Sequence, residues 1–404
     1  MKKKILVSSL LMAMGTSAYA DNNADEIALL KQQLEILTQK IEKLESKSQE
    51  QEARQEETQK VVEKQVKADK KASWASRLSF SGDFRYRYEY IDQRESATRN
   101  RNRIRLRLGA KAQVNDDISI GFRIASGGEN PTSANQTIGD SFSTKDLRLD
   151  RAYVNWNLND QLTLTGGKMK RPYYRPSEMQ MLWDDDINPE GVALQYSDNG
   201  LTAVLGGFSV DERRAEDDVL LFGGQVRKAF DIDGSVLTAG LGYYDYQNLQ
   251  GSLPLFDGNP RGNTLDANGG LANDFNIAEA VFEYETMLAE RNLSLFTAYY
   301  QNTAADDLDS AFGLGFNYGK VKERGTWFFG YSYFDMEADA VYALFNDSNF
   351  AGGRTDSKGH ILNSGFGLAK NTELRMRYFL TEQNQSTEER DYTRFQVDFR
   401  YKFK

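Results

Sequence analysis

The sequence contains no cysteine among its 404 residues, and His360 is its only histidine. The first absence excludes disulfide bonds, thiolate catalysis and thiolate-bound metals. The single histidine leaves His360 as the one candidate base for a Ser-His-carboxylate hydrolase, and only Ser364 on the same strand face supports that role. No glycine-rich phosphate-binding loop is present either. The chain is therefore expected not to be an enzyme and to carry no cofactor or metal.

Long apolar runs are also missing after the first 20 residues, and no segment is apolar over the about 20 residues that a spanning helix needs. The mean hydropathy is −0.63, yet the chain holds 21 Tyr and 23 Phe. The net charge of −9 argues against a nucleic-acid binder. A polar chain rich in aromatic residues fits a membrane β-barrel, in which every second strand residue faces a polar interior.

Residues 1–20 have the pattern of a secretory signal peptide. Lys2, Lys3 and Lys4 precede a short apolar stretch at 5–14, and residues 18–20 read Ala-Tyr-Ala, a small-x-small cleavage site. A membrane anchor is the alternative, but the apolar stretch is too short to span a bilayer. The mature chain is expected to start at Asp21.

Residues 21–71 are predicted to form a helical coiled coil. Residues 24–71 contain no Gly, Pro or aromatic residue, which favours a continuous helix. Apolar residues follow the 3-4-3-4-3 spacing of a coiled-coil seam at Ile27, Leu30, Leu34, Leu37, Ile41 and Leu44. A seam needs a second helix to cover it, so the chain is expected to form a homo-oligomer. The Ile and Leu positions of the seam favour a coiled coil of two helices.

After a linker at 72–78, residues 79–404 are predicted to form an all-β transmembrane barrel of about 16 antiparallel strands. Sixteen segments have strand character, and many alternate between apolar and polar residues. The last strand places Phe395, Val397, Phe399, Tyr401 and Phe403 on one face and charged or polar residues on the other. Phe399, Tyr401 and Phe403 are predicted to lie beside Phe80, Phe84 and Tyr86, so that the two chain ends close the barrel.

The connections between the predicted strands alternate between short and long. Short ones hold turn residues, as at Asn159-Asp160 and Asp198-Asn199-Gly200, whereas long ones occupy 127–146, 171–189, 247–275 and 336–358. Outer-membrane barrels have short periplasmic turns and long external loops. With an even number of strands both chain ends lie on the periplasmic side, where the coiled coil is then expected.

One strand carries a ladder of basic residues at Arg101, Arg103, Arg105, Arg107 and Lys111. On the lipid face each would cost about 2–4 kcal/mol near the midplane, so the ladder is expected to face the lumen. Arg85, Arg87, Arg123 and Arg151 are expected to join it as a cationic pore lining that attracts anions. The alternative is a lumen wall in which these residues pair with carboxylates such as Asp83 and Glu89.

The loop 171–189, which follows the fifth predicted strand and is the third external loop, is predicted to fold into the lumen as a constriction. Its basic residues come first, at Arg171 and Arg175, and its acidic residues follow, at Glu178, Asp184, Asp185 and Asp186. Opposite charges across a constriction would set a transverse field. The three aspartates also resemble a hard-cation cluster, but they lack the Gly and Glu of a calcium loop.

The same region resembles a family of porins from Gram-negative bacteria. The residues that carry the resemblance are Gly167, Lys168, Met169, Lys170 and Pro172, then Leu182, Trp183, Asp184, Asp186, Asn188, Pro189, Glu190 and Gly191. The resemblance implies a signal peptide, an N-terminal coiled coil and a barrel. The layout is also similar to that of phosphate-selective porins. Lys404 follows the usual terminal aromatic residue and departs from the family pattern.

These observations predict an outer-membrane porin of a Gram-negative bacterium, a water-filled channel for passive diffusion of small hydrophilic solutes or ions, with a preference for anions. The expected partners are outer-membrane lipid, a homo-oligomer for which the resemblance favours a trimer, and the cell wall through the coiled coil. The alternative is an envelope-tethering or adhesive surface protein with a plugged barrel. A soluble secreted β-protein would instead be extracted without detergent.

Overall fold

The computed structural model describes residues 23–75 and 77–403. The expected signal peptide and Lys404 lie outside the described residues. The chain divides into two compact units, a helical one that ends at Ala75 and a barrel.

The helical unit is a single helix, α1 (Asn23–Ala75). It continues past residue 71, where the linker was expected to begin, because Ala72 to Ala75 include no Gly or Pro that would end it. Among the seam residues with described side chains, Leu34, Leu37, Ile41 and Leu44 are all exposed. The seam is thus a continuous apolar stripe on this helix. No described helix is long and apolar enough to cross a membrane.

The second unit is a closed antiparallel barrel of sixteen strands, which confirms the predicted fold class. A two-residue strand, β4, belongs to the loop between β3 and β5. The strands are β1 (Leu78–Gln93), β2 (Arg99–Gln113), β3 (Ile118–Ser126), β4 (Gln136–Thr137), β5 (Leu147–Asn157), β6 (Leu162–Lys168), β7 (Glu190–Asp198), β8 (Leu201–Asp211), β9 (Val219–Ile232), β10 (Ser235–Gln247), β11 (Asn276–Leu288), β12 (Arg291–Asn302), β13 (Ser310–Gly319), β14 (Trp327–Met336), β15 (Ser357–Ala369), β16 (Thr372–Gln383) and β17 (Arg390–Phe403).

The barrel closes where its first and last strands pair. Tyr86 lies opposite Phe399 and Phe84 opposite Tyr401, whereas Phe403 lies opposite Gly82 rather than beside Phe80. The closure is as predicted. The register of the last pair differs because Gly82, which has no side chain, leaves room for the Phe403 ring.

Burial in the barrel strands is inverted relative to a water-soluble protein. On β1 the charged residues Arg87 and Glu89 are 2% and 0% exposed, whereas the intervening Tyr88 is 38% exposed. Aromatic and aliphatic side chains therefore form the outer surface, and charged side chains line the interior. This is the arrangement that lipid outside and water inside require.

Loop lengths separate the two ends of the barrel. Two of the short turns are Asn199-Gly200 and Asp233-Gly234, in which both residues have positive φ angles. Asn-Gly and Asp-Gly with this geometry are the favoured two-residue hairpin turns. The opposite end carries the long loops 127–146, 169–189, 248–275 and 337–356, and we refer to it as the long-loop end.

Candidate pore and its constriction

The predicted basic residues occupy the inner wall formed by β1, β2, β3 and β5. Arg85, Arg87 and Arg105 are 5%, 2% and 5% exposed and lie on adjacent strands, since Arg85 is opposite Arg105. Arg101, Arg103, Arg107, Arg123 and Arg151 are half-buried, and Lys111 is exposed near the short-turn end of β2. We refer to the whole set as the basic wall.

Most of the basic wall is paired with carboxylates. Both oxygens of Asp398 accept hydrogen bonds from Arg87, at 2.6 and 2.7 Å, and Asp83 lies between Arg105 at 2.8 Å and Arg107 at 2.6 Å. Glu89 pairs with Arg101, and Asp150 with Arg123. The alternative of a charge-paired lumen wall therefore describes these five arginines well.

Arg103 and Arg151 differ from their neighbours. Arg103 donates to the Ser133 hydroxyl and the Asn135 carbonyl, at 3.3 and 3.4 Å, and forms no ion pair with any described residue. Arg151 donates to the Asn188 amide oxygen at 2.6 Å. Their positive charges are thus less completely compensated than those of the other arginines.

The loop 169–189 folds into the barrel and packs against its inner wall. Its apolar residues are buried, as the following exposures show: Met169 2%, Tyr173 4%, Met179 3%, Met181 0%, Leu182 1%, Trp183 1% and Ile187 6%. Tyr173 packs edge-on against Tyr244 of β10 with ring centroids 4.9 Å apart. Since burying a large apolar side chain contributes about 1.5–3 kcal/mol, this packing holds the loop inside the lumen.

Glycines on the strands make the close approach possible. A Cβ atom at Gly206 would lie 2.7 Å from the Tyr173 hydroxyl oxygen, and one at Gly313 would lie 2.6 Å from the Met181 sulfur. Both distances are too short for real atoms. The inner wall is therefore shaped to receive this loop.

Polar contacts fix the tip of the loop to the far side of the barrel. Glu283 of β11 accepts hydrogen bonds from the Ser177 hydroxyl at 2.5 Å and from the Tyr174 hydroxyl. In the strand order β11 lies about halfway around the barrel from β1. The loop therefore crosses the lumen, as a constriction would.

The charges of the loop are arranged differently from the expectation. Arg175 pairs with Asp185 and donates to the Trp183 carbonyl at 2.5 Å, and Arg171 donates to the Asp184 carbonyl at 3.0 Å. The basic and acidic residues thus pair within the loop instead of facing each other across the lumen. The reason is that the turn between them brings the two halves of the loop side by side. The side chain of Glu178 lies outside the described part of the chain.

Asp186 is the acidic residue of the loop that reaches the basic wall. It lies 3.3 Å from Arg107 and 3.8 Å from Arg105, and it accepts a hydrogen bond from the Ala134 N–H at 3.2 Å. Burial opposes its ionisation, but Arg105, Arg107 and Arg85 outweigh burial and hold the pKa of this carboxyl below its usual range. Asp186 is therefore a charged link between loop and wall.

Asp184 has the opposite environment. It is 3% exposed, and burial together with Asp186 and Asp347 raises its pKa well above the usual range. Its carboxyl accepts hydrogen bonds from the backbone N–H groups of Asp186 and Ser348, at 2.8 and 2.9 Å. The residue joins two loops rather than lining an open channel.

A second inward-folded loop, 337–356, was missed by the sequence reasoning, which treated it as external. Val341, Phe350 and Ala351 are 0% exposed, and Asp184 donates its N–H to the Phe345 carbonyl at 2.7 Å. A signal was present in the sequence, because residues 340–345 read AVYALF, an apolar run that a solvated loop does not need. Two loops therefore narrow the lumen.

A cavity of about 730 Å³ lies inside the barrel and reaches its short-turn end. Its acidic lining residues are Asp185, Glu283, Glu285, Asp347 and Glu373. Its basic lining residues are Arg85, Arg105, Arg107, Arg123, Arg151, Lys170, Arg175, Lys320, Arg375, Arg377, Arg400 and Lys402. Basic side chains thus outnumber acidic ones, although several are paired.

His360 lies on the outer face of β15, where it is exposed and its Nδ1 is 2.9 Å from the Tyr331 hydroxyl. No cluster of His, Cys, Asp and Glu that could hold a metal occurs among the residues that the structure describes.

Comparison with known proteins identifies the family. The sequence matches the putative porin family at residues 90–261 and 266–403. The fold is similar to OprB of Pseudomonas putida, at 14% identity over 81% of this chain and 94% of that chain, with a TM-score of 0.57. A triple mutant of the porin from Rhodopseudomonas blastica is 13% identical over 81% of this chain and 100% of that chain, with a TM-score of 0.49. No match was found among curated proteins. Because the family match spans most of the barrel, the chain belongs to the putative porin family, and its closed barrel is that of an outer-membrane channel.

Proposed function

We propose that this porin serves passive diffusion of small hydrophilic solutes and prefers anions. The observation that carries the proposal is the excess of basic over acidic side chains around the 730 Å³ cavity inside the barrel. A narrow lumen between low-dielectric walls concentrates ions of the opposite sign, so a basic lining favours anions.

The topology supports an orientation for the barrel. Both chain ends of the barrel, Leu78 and Phe403, lie at its short-turn end. In outer-membrane barrels the short turns are periplasmic. We therefore assign the short-turn end to the periplasm, and with it α1.

The exposed seam of α1 supports a homo-oligomer held by a periplasmic coiled coil. Leu34 and Leu44 are both 66% exposed on the isolated helix, and such a stripe is normally covered by partner helices. The resemblance to porins favours three chains. We also propose that the coiled coil contacts the cell wall. The test is whether cell-wall material binds to α1.

The channel is tested in planar lipid bilayers with the full-length mature chain. We expect ohmic, ion-conducting pores whose reversal potential in a tenfold salt gradient has the sign of anion preference. Replacing Arg103, Arg105 and Arg107 together by Gln should move that potential towards the cation side by on the order of 10 mV, where perfect selectivity corresponds to about 59 mV.

The matched control replaces the same three residues by Lys, which keeps the charges and removes the guanidinium forks. Its selectivity should stay close to that of the wild type. Unchanged reversal potentials in the Gln variant would remove these arginines from the selectivity mechanism. Folded protein without any conductance would overturn the channel proposal and favour a plugged barrel that tethers the envelope.

A further inference from the structure

A second cavity, of about 280 Å³, lies at the long-loop end, and we refer to it as the mouth pocket. Among its lining residues are Arg101, Arg103, Arg261, Arg394, Ser133 and Asn346. In the described part of the chain no carboxylate lines it. Four guanidinium groups therefore converge on one small space that loops 127–146 and 337–356 enclose.

The carboxylates near these arginines are too few to neutralise them. Glu89 is shared by Arg101 and Arg394, and Asp257 pairs with Arg261 through two hydrogen bonds of 2.7 and 2.6 Å. Arg103 has no carboxylate partner among the described residues. Four positive and two negative charges leave two uncompensated positive charges at the pocket.

Several hydrogen-bonding groups of the pocket lack a protein partner. Asn346 is 1% exposed, yet neither its amide nitrogen nor its amide oxygen is hydrogen-bonded to a described residue. The Nε atoms of Arg103 and Arg394 are also buried without a hydrogen-bond partner in the described chain. Buried polar groups are rarely left unpaired, since each costs about 1–3 kcal/mol. Such a cost is characteristic of a binding site.

Ser133 provides a further donor. Its hydroxyl oxygen accepts hydrogen bonds from Arg103 at 3.3 Å and from the Asn135 backbone and side-chain nitrogens at 3.4 and 3.2 Å. Its own hydrogen is donated to no acceptor in the described chain. Guanidinium forks, an amide and a hydroxyl together match the planar or tetrahedral oxygens of an oxyanion better than a spherical halide.

We propose that the mouth pocket binds a small oxyanion, a phosphate or a carboxylate, before the solute enters the lumen. The role of this binding step in transport rests on the proposed anion-preferring channel. Binding itself does not require conduction. The volume holds one such group together with several waters, each of which occupies about 30 Å³ in the liquid.

The test is calorimetric titration of the full-length protein in detergent at low ionic strength with sodium phosphate, with sodium acetate and with sodium chloride. Saturable binding of phosphate or of acetate that exceeds any chloride signal is expected, and the two arms decide between phosphate and carboxylate. Signals for both that equal the chloride signal would overturn the proposal. Because conductance is measured separately, a non-conducting barrel that still binds would refute only the proposed function.

Three variants sharpen the test. Arg103→Gln should weaken binding by about tenfold or more, as loss of a charged hydrogen bond predicts. Arg99→Gln is the matched control, because it removes the same charge from the exposed start of β2 outside the pocket and should bind as the wild type does. If both variants weaken binding equally, the effect comes from the general electrostatic field and not from this pocket, and the proposed site is wrong.

Asn346→Leu separates binding from folding. If Asn346 were only structural, replacing a buried, unpartnered amide by an apolar side chain of similar size would stabilise the protein or leave it unchanged. The proposal expects a protein that folds at least as well but binds the oxyanion several-fold more weakly. Unchanged binding by this variant and by Arg103→Gln would overturn the proposal.

Discussion

Individual charged residues are held inside the barrel by partners on neighbouring strands. Arg87 and Asp398 illustrate this at the seam between β1 and β17, where the two side chains are 2% and 1% exposed. The cost of removing two charges from water is offset only because both oxygens of Asp398 receive a hydrogen bond. Removing one partner should therefore be costly.

Asp398→Asn is expected to lower the free energy of unfolding by about 3 kcal/mol, because it leaves the Arg87 charge buried with Glu89 only at 4.0 Å. Urea titration of the refolded barrel in detergent measures this change. Asp391→Asn, at the exposed start of the same strand, is the control and should stay within about 0.5 kcal/mol of the wild type. A loss no larger than that of the control would show that the pair does not stabilise the seam.

Asp186 gives the contact between loop 169–189 and the basic wall a pH dependence. Its pKa is lowered in the folded chain, so its contribution to stability is present above the ordinary Asp pKa of about 3.9 and is lost as the pH falls through the lowered value. We expect the buried Trp183 to report no loop change between pH 7 and 5 and loosening only below about pH 4.

The measurement is Trp183 fluorescence in a chain whose other tryptophans, at 74, 156 and 327, are replaced by Phe. Asp186→Asn should loosen the loop already at neutral pH. Asp184→Asn serves as a comparison and should have the opposite effect on the stability of the loop. The pKa of Asp184 is raised, so its ionised form costs stability at neutral pH. A wild-type transition near pH 6 would contradict the role given to Asp186.

At the scale of single elements, the helix and the strands are set by local pattern. Strands predicted at 99–114 and 310–319 are observed at Arg99–Gln113 and Ser310–Gly319, because alternation with period two directly records lipid on one side and water on the other. The helix end was placed early, at 71 instead of Ala75, since nothing in that stretch stops a helix. Helix ends depend on weaker local signals than strand alternation does.

The seam of α1 can be tested without disturbing the barrel. Leu37 is 58% exposed and lies in the apolar stripe. Leu37→Asp places a charge in this stripe and should abolish association through the helix. Chemical crosslinking of the full-length chain measures the association, and heat-modifiable migration in electrophoresis reports barrel folding. Gln39→Asp, outside the seam, is the control. Crosslinking of Leu37→Asp at the control level would show that the helix does not associate through this face.

For the whole molecule, the lumen is defined by two loops that return into the barrel. Loop 169–189 is anchored by packing under Tyr244 and by Glu283, and loop 337–356 is anchored to it through Asp184. The free cross-section of the channel is therefore a property of the packed loops and not of the strand number alone.

Replacing residues 340–353 by a short Gly-Ser linker should raise single-channel conductance about two-fold or more, because most of the deleted segment is buried inside the barrel. Single-channel recording in planar bilayers measures the change. Shortening the exposed loop 212–218 is the control and should leave conductance unchanged. Equal conductance in both variants would mean that loop 337–356 does not limit the pore.

Periodicity, charge and local composition were enough to predict about sixteen strands, the inward face of the strands that alternate, and the entry of loop 171–189 into the lumen. The pairing of charges, in contrast, became apparent only in the folded barrel. Arg175 meets Asp185 within its own loop, Arg87 meets Asp398 across 311 residues of chain, and Arg103 is left without a carboxylate. Such pairings depend on the barrel register and on the packing of distant loops, which a local pattern does not encode.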